Sequence, residues 1–248
     1  MSGRVAKQRL DLLLVARGLA PSRQRAQAML LAGDVLVGGQ RAGKPGALVA
    51  EDISIAIASD SQRYSSRGGL KLEGALEEFR ISPAGKICLD AGSSTGGFTD
   101  CLLAHGARKV FGVDVNTSQL DWKLQKDSRV VAIECNARYL KPEQVPEPID
   151  IVTADVSFIS VTKILEALVR VARPGADFLI LVKPQFELER RSVGKGAIVK
   201  DAALRERAVE RVRAFAAEHG LEIVGVFASR VAGAEGNVEF FLHARRKG

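Results

Sequence analysis

From residue 86 onward the chain alternates short apolar runs with stretches of helical period, and this alternation restricts the fold more than any other feature. Strand candidates are Lys86–Asp90, Lys109–Asp114, Arg129–Glu134, Ile149–Asp155, Phe178–Lys183, Glu222–Ala228 and Asn237–His243. Helical stretches lie near Gly97–Ala104, Ser118–Leu124, Ser160–Ala172 and Ala202–Glu218. Strands alternating with helices predict an α/β fold with a parallel, doubly wound sheet. Only "SRVAGAEG" separates the last two strands, which leaves no room for a crossover helix. They are expected to pair as a hairpin, with one strand antiparallel.

The preceding residues read differently. "RLDLLLVARGLAPSRQRAQAMLLAGDVLVGG" predicts two short helices and then strands. Ser22 is placed to cap the second helix, Ala26, Met29 and Leu30 form its apolar stripe, and Gly33 ends it in a left-handed turn. "DVLVGGQRA" signals a hairpin turning at Gly38-Gly39, and "EDISIAIA" alternates as a half-buried strand. "ASDSQRYSSRGG" is a polar, Ser/Gly-rich joint. The expected division is a small α+β domain over residues 1–62, a linker over 63–69 and the large domain over 70–248.

Charge follows the same division. The net charge is +7, and residues 1–70 carry ten Lys/Arg against five Asp/Glu. Arg9, Arg17, Arg23 and Arg25 fall on or beside the two helices, and Arg67 lies in the joint. A basic module on a nearly neutral body points to a phosphate-rich partner. No apolar run approaches the ~20 residues of a membrane helix, and the N-terminus lacks the pattern of a signal peptide. Cys88, Cys101 and Cys135 are widely spaced, and the three histidines are scattered. Neither a disulfide framework nor a metal cluster is expected, and a reducing cytoplasm fits.

"ICLDAGSSTGGF" is a buried strand, a glycine turn and the start of a helix, the place where open α/β sheets bind small molecules. A P-loop needs Lys-Ser/Thr after its last glycine, but Gly97-Phe98 follows Gly96. A dinucleotide loop prefers G-x-G-x-x-G, whereas Gly92 to Gly97 reads G-x-x-x-G-G, and Asp90 adds like charge beside a pyrophosphate. An acidic residue there suits S-adenosylmethionine, which carries an amino group and a sulfonium. Asp114 is placed to accept both ribose hydroxyls, and Asn136 to serve the adenine. Ser93, Ser94, Thr95 and Phe98 complete the expected cofactor site, with Asp155 at the next strand end. "FLILVKPQFE" then raises its own question, because Lys183 ends a strand buried on both faces and is fixed by Pro184.

The small domain resembles the S4 RNA-binding domain through Arg9-Leu10-Asp11, Ser22-Arg23, Ala26, Gly33, Val35, Val37 and Asp52-Ile53. The large domain resembles the class I methyltransferases, with their Rossmann-like sheet, and among them the FtsJ-like RNA ribose methyltransferases, through the D-x-G-x-x-x-G-G loop of Asp90–Gly97. That resemblance implies a catalytic tetrad of Lys71 in "SRGGLKLEGAL", Asp155 in "TADVSF", Lys183 in "LVKPQFE" and Glu239 in "GNVEFF". The fusion of the two is similar to the hemolysin-A-like (TlyA) family. It implies methylation of cytidine 2′-hydroxyls in ribosomal RNA, with ribosomal RNA or assembled subunits as partner. Chemically, a base for a ribose hydroxyl must be neutral near pH 7, and burial with a neighbouring cation, Lys71, is expected to lower Lys183 toward that range.

Other acceptors predict other traces. Amine methylation favours an Asn/Asp-Pro-Pro-aromatic run where this chain has "ADVSF". Carbon-5 methylation needs a cysteine nucleophile, yet Cys88 and Cys101 read as packing residues and Cys135 as structural. Trp122 reads as a core residue, or as one packing near the adenine. A pore-forming hemolysin and a non-catalytic RNA-binding protein remain as alternatives from other classes; neither spanning helices nor long barrel strands favour the first.

Overall fold

The computed structural model describes residues 6–42, 44–57, 63–189, 193, 198–233 and 236–248. In the small domain, β1 (Lys7–Arg9) leads into α1 (Leu10–Ala16) and α2 (Arg23–Ala32), followed by β2 (Val35–Val37), β3 (Gln40–Arg41), β4 (Leu48–Ala50) and β5 (Ile55–Ile57). Leu10, Leu14, Ala20, Ala26, Leu30 and Val35 meet in its core. Ser22 accepts a hydrogen bond from the Arg25 amide at 3.2 Å, satisfying a donor that the first turn leaves open. Gly33 stops α2 at φ +73°. Gly38 and Gly39 both have positive φ, as a two-residue hairpin turn between β2 and β3 requires. The pairing of β1 with β4 has no counterpart in the sequence reading, because three-residue strands are too short to show a period.

The seven apolar runs of the large domain become one sheet. Its strands are β6 (Ile87–Ala91), β7 (Lys109–Asp114), β8 (Val130–Glu134), β9 (Ile149–Ala154), β10 (Ala172–Val182), β11 (Leu221–Ala228) and β12 (Phe240–Arg246). The order is β11-β12-β10-β9-β6-β7-β8, and β12 runs antiparallel to both its neighbours. Helices cover both faces: α3 (Gly68–Phe79) and α4 (Gly97–Ala104) on one, α6 (Thr162–Val171) and α8 (Ala202–Glu218) on the other. The strand "FLILV" is apolar throughout because it packs both ways. Phe178, Ile180 and Val182 join the core of α6 and α8, while Leu179 and Leu181 join that of α3 and α4.

Two expectations change. The helix expected over Ser118–Leu124 is a 3-10 turn, Thr117–Gln119, and a separate one-turn helix, α5 (Trp122–Gln125). Asp121 starts the second afresh, its carboxylate accepting from the Lys123 amide. Trp122 is 62% exposed and packs neither in the core nor against the cofactor loop; Lys126 Nζ lies 5.3 Å from its ring centroid. Strand β10 starts at Ala172, six residues early, with its register to β9 broken between Ala172 and Asp177.

Part of the joint, residues 58–62, lies outside the described residues. From Arg63 on it is packed: Tyr64, Ser66 and Arg67 are buried, and α3 begins at Gly68. The Ser65 amide and hydroxyl both donate to Asp100 of α4. The Arg67 amide donates to Asp34 Oδ1 at 3.2 Å, and its guanidinium lies where a Cβ on Gly33 would stand. Arg25 reaches Gln119 O at 3.0 Å and Asp121 at 3.4 Å, fastening α2 to the large domain.

Candidate active site

Three strand ends carry the tetrad to one edge of the sheet. Asp155 follows the last residue of β9 and Lys183 the last of β10, and these parallel neighbours end side by side. Glu239 precedes Phe240, which pairs with Val182 across the antiparallel β10–β12 ladder. Lys71 enters from the first turn of α3, which packs over this face. Lys71 Nζ donates to Glu239 Oε2 at 2.6 Å. Lys183 Nζ lies 2.5 Å from Asp155 Oδ1 and donates to Ser157 Oγ at 2.9 Å. Lys71, Lys183 and Glu239 are all less than a tenth exposed.

Buried ion pairs contribute little net stability against their desolvation cost, so two side by side point to function. Their electrostatics overturn one expectation. Burial does push the Lys183 ammonium down, but the negative charges of Asp155 and Glu239 outweigh it, and Lys183 is held above its ordinary value. Burial pushes Asp155 up, yet Lys183 and then Lys71 hold it below the usual carboxylate range. Without ligands the two are therefore a charged pair.

The glycine loop lies against the same edge. At Gly92 (φ +87°) a Cβ would run into the Asp155 carbonyl, and the Asp155 amide bonds Ala91 O at 2.9 Å. The loop is thus tied to the tetrad through the backbone. Ser94 adopts φ +47°. Its amide donates to Asp114 Oδ2 at 2.9 Å, and the Asn116 amide to Oδ1 at 3.0 Å. Asp114 is held with both oxygens oriented and lone pairs to spare. The Asn136 carboxamide oxygen accepts from the Arg138 amide at 3.0 Å.

Asp90 is a correction. It is fully buried away from the cavity, its carboxyl accepting from the Thr99 hydroxyl at 2.7 Å and the Thr153 hydroxyl at 3.1 Å. Burial pushes it up to about 7. Asp90 ties β6 to β9 and α4 beneath the loop. Gly96 is likewise structural, since it caps α4 at φ +94° where a side chain would strike Leu120 and Leu124.

A cavity of about 900 Å³ joins these parts. Gly92–Thr95, Gly97, Phe98, Asp114 and Asn136 line one region, and Lys71, Asp155, Lys183 and Glu239 another. The small domain supplies a further wall through Ala28, Leu31 and Lys44–Ala47. The sequence reading missed this wall, because no local signal shows one domain leaning over another's strand ends.

The model of the FtsJ-like methyltransferase family matches residues 64–246, nearly the whole of the large domain and its joint. The chain belongs to that family. The S4 domain model matches residues 8–52. The 16S/23S rRNA (cytidine-2′-O)-methyltransferase TlyA of Mycobacterium tuberculosis is 48% identical over 96% of this chain and 90% of its own length. Hemolysin A of Brachyspira hyodysenteriae is 41% identical over 95% of this chain and 98% of its own. A solved structure from Streptococcus thermophilus, named as a candidate hemolysin, is 39% identical, with a TM-score of 0.76 over 98% of this chain and 90% of that one.

In this FtsJ-like chain the arginines divide by environment. Arg9 and Arg23 both bond the buried Asp11, at 2.8 and 3.0 Å, while remaining about half exposed themselves. The Arg9 hydrogen bond holds the Asp11 carboxyl well below the carboxylate range. Arg17 donates to the Ile53 carbonyl at 2.7 Å and to that of Glu51. Arg25 is largely taken up by the domain contact. Arg67, expected on an RNA-facing surface, is 2% exposed. It lies in the joint because the domains close over it. Cys88 and Cys101 are buried thiols; burial pushes Cys88 up to about 12 and raises Cys101 as well. Cys135 lines the cavity but donates to Asn136 O at 3.2 Å and is raised by burial, so it is no ready thiolate.

Proposed function

We propose that the protein is an S-adenosylmethionine-dependent methyltransferase acting on the 2′-hydroxyl of a cytidine in ribosomal RNA. The observation that carries this reading is the meeting of Lys71, Asp155, Lys183 and Glu239 beside the glycine loop, in one cavity lined by both domains. The loop residues fit the cofactor: side-chain-free backbone at Gly92, a carboxylate at Asp114 fixed for two hydroxyls, and a cavity near the upper end of the ~300–1,000 Å³ range of small-molecule sites. Bound there, S-adenosylmethionine supplies the methyl group and a positive charge.

The chain's own groups supply the rest. Lys183 is placed to take the hydroxyl proton at Nζ, with Asp155 and Ser157 fixing its direction. Its pairing with Asp155 keeps the proton on until further positive charge in the cavity offsets that carboxylate. The Lys71–Glu239 pair is a rigid charged wall that holds the ribose in register. Exposed Arg9 and Arg23 on the S4 domain contact RNA phosphates, so binding weakens steeply with salt. A cytoplasmic protein acting on ribosomal RNA or assembled subunits fits this reading.

The test is methyl transfer from labelled S-adenosylmethionine to ribosomal subunits, followed by mapping of the modified position. Ribose methylation is expected, and a methylated base refutes the reading. Lys183→Ala is expected to bind the cofactor normally and to lose at least ~100-fold in transfer; near-normal turnover excludes Lys183 as the base. Among the described residues no helix is long and apolar enough to cross a membrane. Leakage from liposomes without methyl transfer would favour the hemolysin reading instead.

A further inference from the structure

The cavity wall beside the tetrad holds a polar atom with no partner. Gln185 stands two residues beyond Lys183 in the one-turn helix α7 (Pro184–Glu187) and lines the cavity with Lys183, Ser157 and Phe186. Its Oε1 is shut off from solvent and accepts no hydrogen bond. A buried acceptor in that state costs free energy that a ligand's donor would recover. Neighbouring groups do not supply one. Pro184 has no N–H, the Phe186 amide bonds Lys183 O, and Lys183 Nζ is engaged with Asp155 and Ser157.

The turn that presents Gln185 is braced. Glu187 accepts from the Val161 amide at 2.8 Å and from the Ser160 hydroxyl at 2.5 Å, and Arg211 donates to Glu187 O at 2.6 Å. The cofactor loop and Asp114 belong to β6 and β7, whereas Gln185 follows β10, across β9 from them. Its ligand is therefore the methyl acceptor. In a nucleotide, the carbon bearing the 2′-hydroxyl adjoins the carbon bearing the base, so a hydroxyl at Lys183 puts the base against the adjoining lining.

We propose that Gln185 reads the target base, its Oε1 accepting a hydrogen bond from the 4-amino group of cytosine. This rests on the ribose-methylation reading and deepens it to a choice of base. The 4-amino group is the N–H donor of cytosine's pairing edge, whereas uracil presents a carbonyl oxygen there. A buried acceptor facing that position favours cytosine and opposes uracil.

The experiment compares methyl transfer to ribosomal RNA carrying the mapped target cytidine with transfer to the same RNA carrying uridine at that position. The wild-type protein is expected to prefer cytidine. Gln185→Met, similar in volume but without the acceptor, is expected to lose roughly ten- to hundred-fold on cytidine and little on uridine, so that the preference collapses. Its cofactor affinity by calorimetry and its melting temperature stay at wild-type values. Equal losses on both RNAs, or an unchanged preference, overturn the proposal. Mapping the wild-type product separates the two layers: base methylation refutes the ribose reading itself, while ribose methylation with an unmoved preference refutes only Gln185.

Discussion

Replacing Asp90 by Asn tests the electrostatics beneath the cofactor loop. Asp90 is fully buried, and burial raises its carboxyl from 3.8 to about 7. The folded state therefore holds the proton more tightly than the unfolded chain. The stability this contributes is present in full below about pH 4, falls as pH rises, and is gone above about pH 7. A shift of about three units at ~1.36 kcal/mol each gives an upper bound of about 4 kcal/mol. Asn is neutral at every pH and nearly isosteric. Both of its neighbours are hydroxyls, of Thr99 and Thr153, which can reverse donor and acceptor roles.

Asp90→Asn should thus resemble the wild-type protein at pH 5 and exceed it at pH 8.5, by at least ~2 kcal/mol or roughly 4–8 °C in melting temperature. Thermal unfolding of both proteins across pH 5 to 8.5 is the measurement. The difference curve isolates Asp90, because Glu187 and the other buried carboxyls are common to both. Parallel curves, or a variant less stable at pH 8.5, would refute the argument and mean that the Asp90 charge is satisfied as it stands. Cofactor affinity should change little, since the cavity lining does not include Asp90.

Glu239→Ala leaves the buried Lys71 ammonium without its 2.6 Å partner and should cost ~3–5 kcal/mol in a denaturant titration; a loss under 1 kcal/mol would mean water reaches Lys71. Gly33→Ala puts a Cβ at φ +73° into the space of the Arg67 guanidinium, and should cost at least ~1–2 kcal/mol by thermal melting; a wild-type melt would mean the two domains do not close as described.

What the sequence disclosed depended on how local each signal was. Ser22, Gly33 and Gly38-Gly39 act on their own turns, and α4 and α8 carry period and cap within one stretch, so their positions were legible. Asp90 was not. Its strand is buried on both faces, so no alternation tells which way a side chain points, and an acidic residue before a glycine loop looks like a ligand contact. Arg67 misled for the opposite reason: a charged residue among serines and glycines looks solvated, and only the closing of a second domain buries it. The tetrad residues are too dispersed for any local pattern, and resemblance alone brought them together.

Lys183 shows where such reading stops even when the residue is right. "FLILVKP" correctly places a lysine at the end of a doubly buried strand, and burial alone argues that it is neutral. The sign of the shift is set by what else is buried with it. Asp155 ends the neighbouring strand and Glu239 begins the antiparallel one, and their two carboxylates outweigh desolvation to keep the ammonium charged. Basicity at this site therefore belongs to the loaded cavity, where added positive charge shifts the balance. A pH–rate profile should accordingly show an acidic limb well below the pKa of Lys183 in the free protein, and a limb at or above ~10.4, the value of an ordinary lysine, would count against Lys183 as the base.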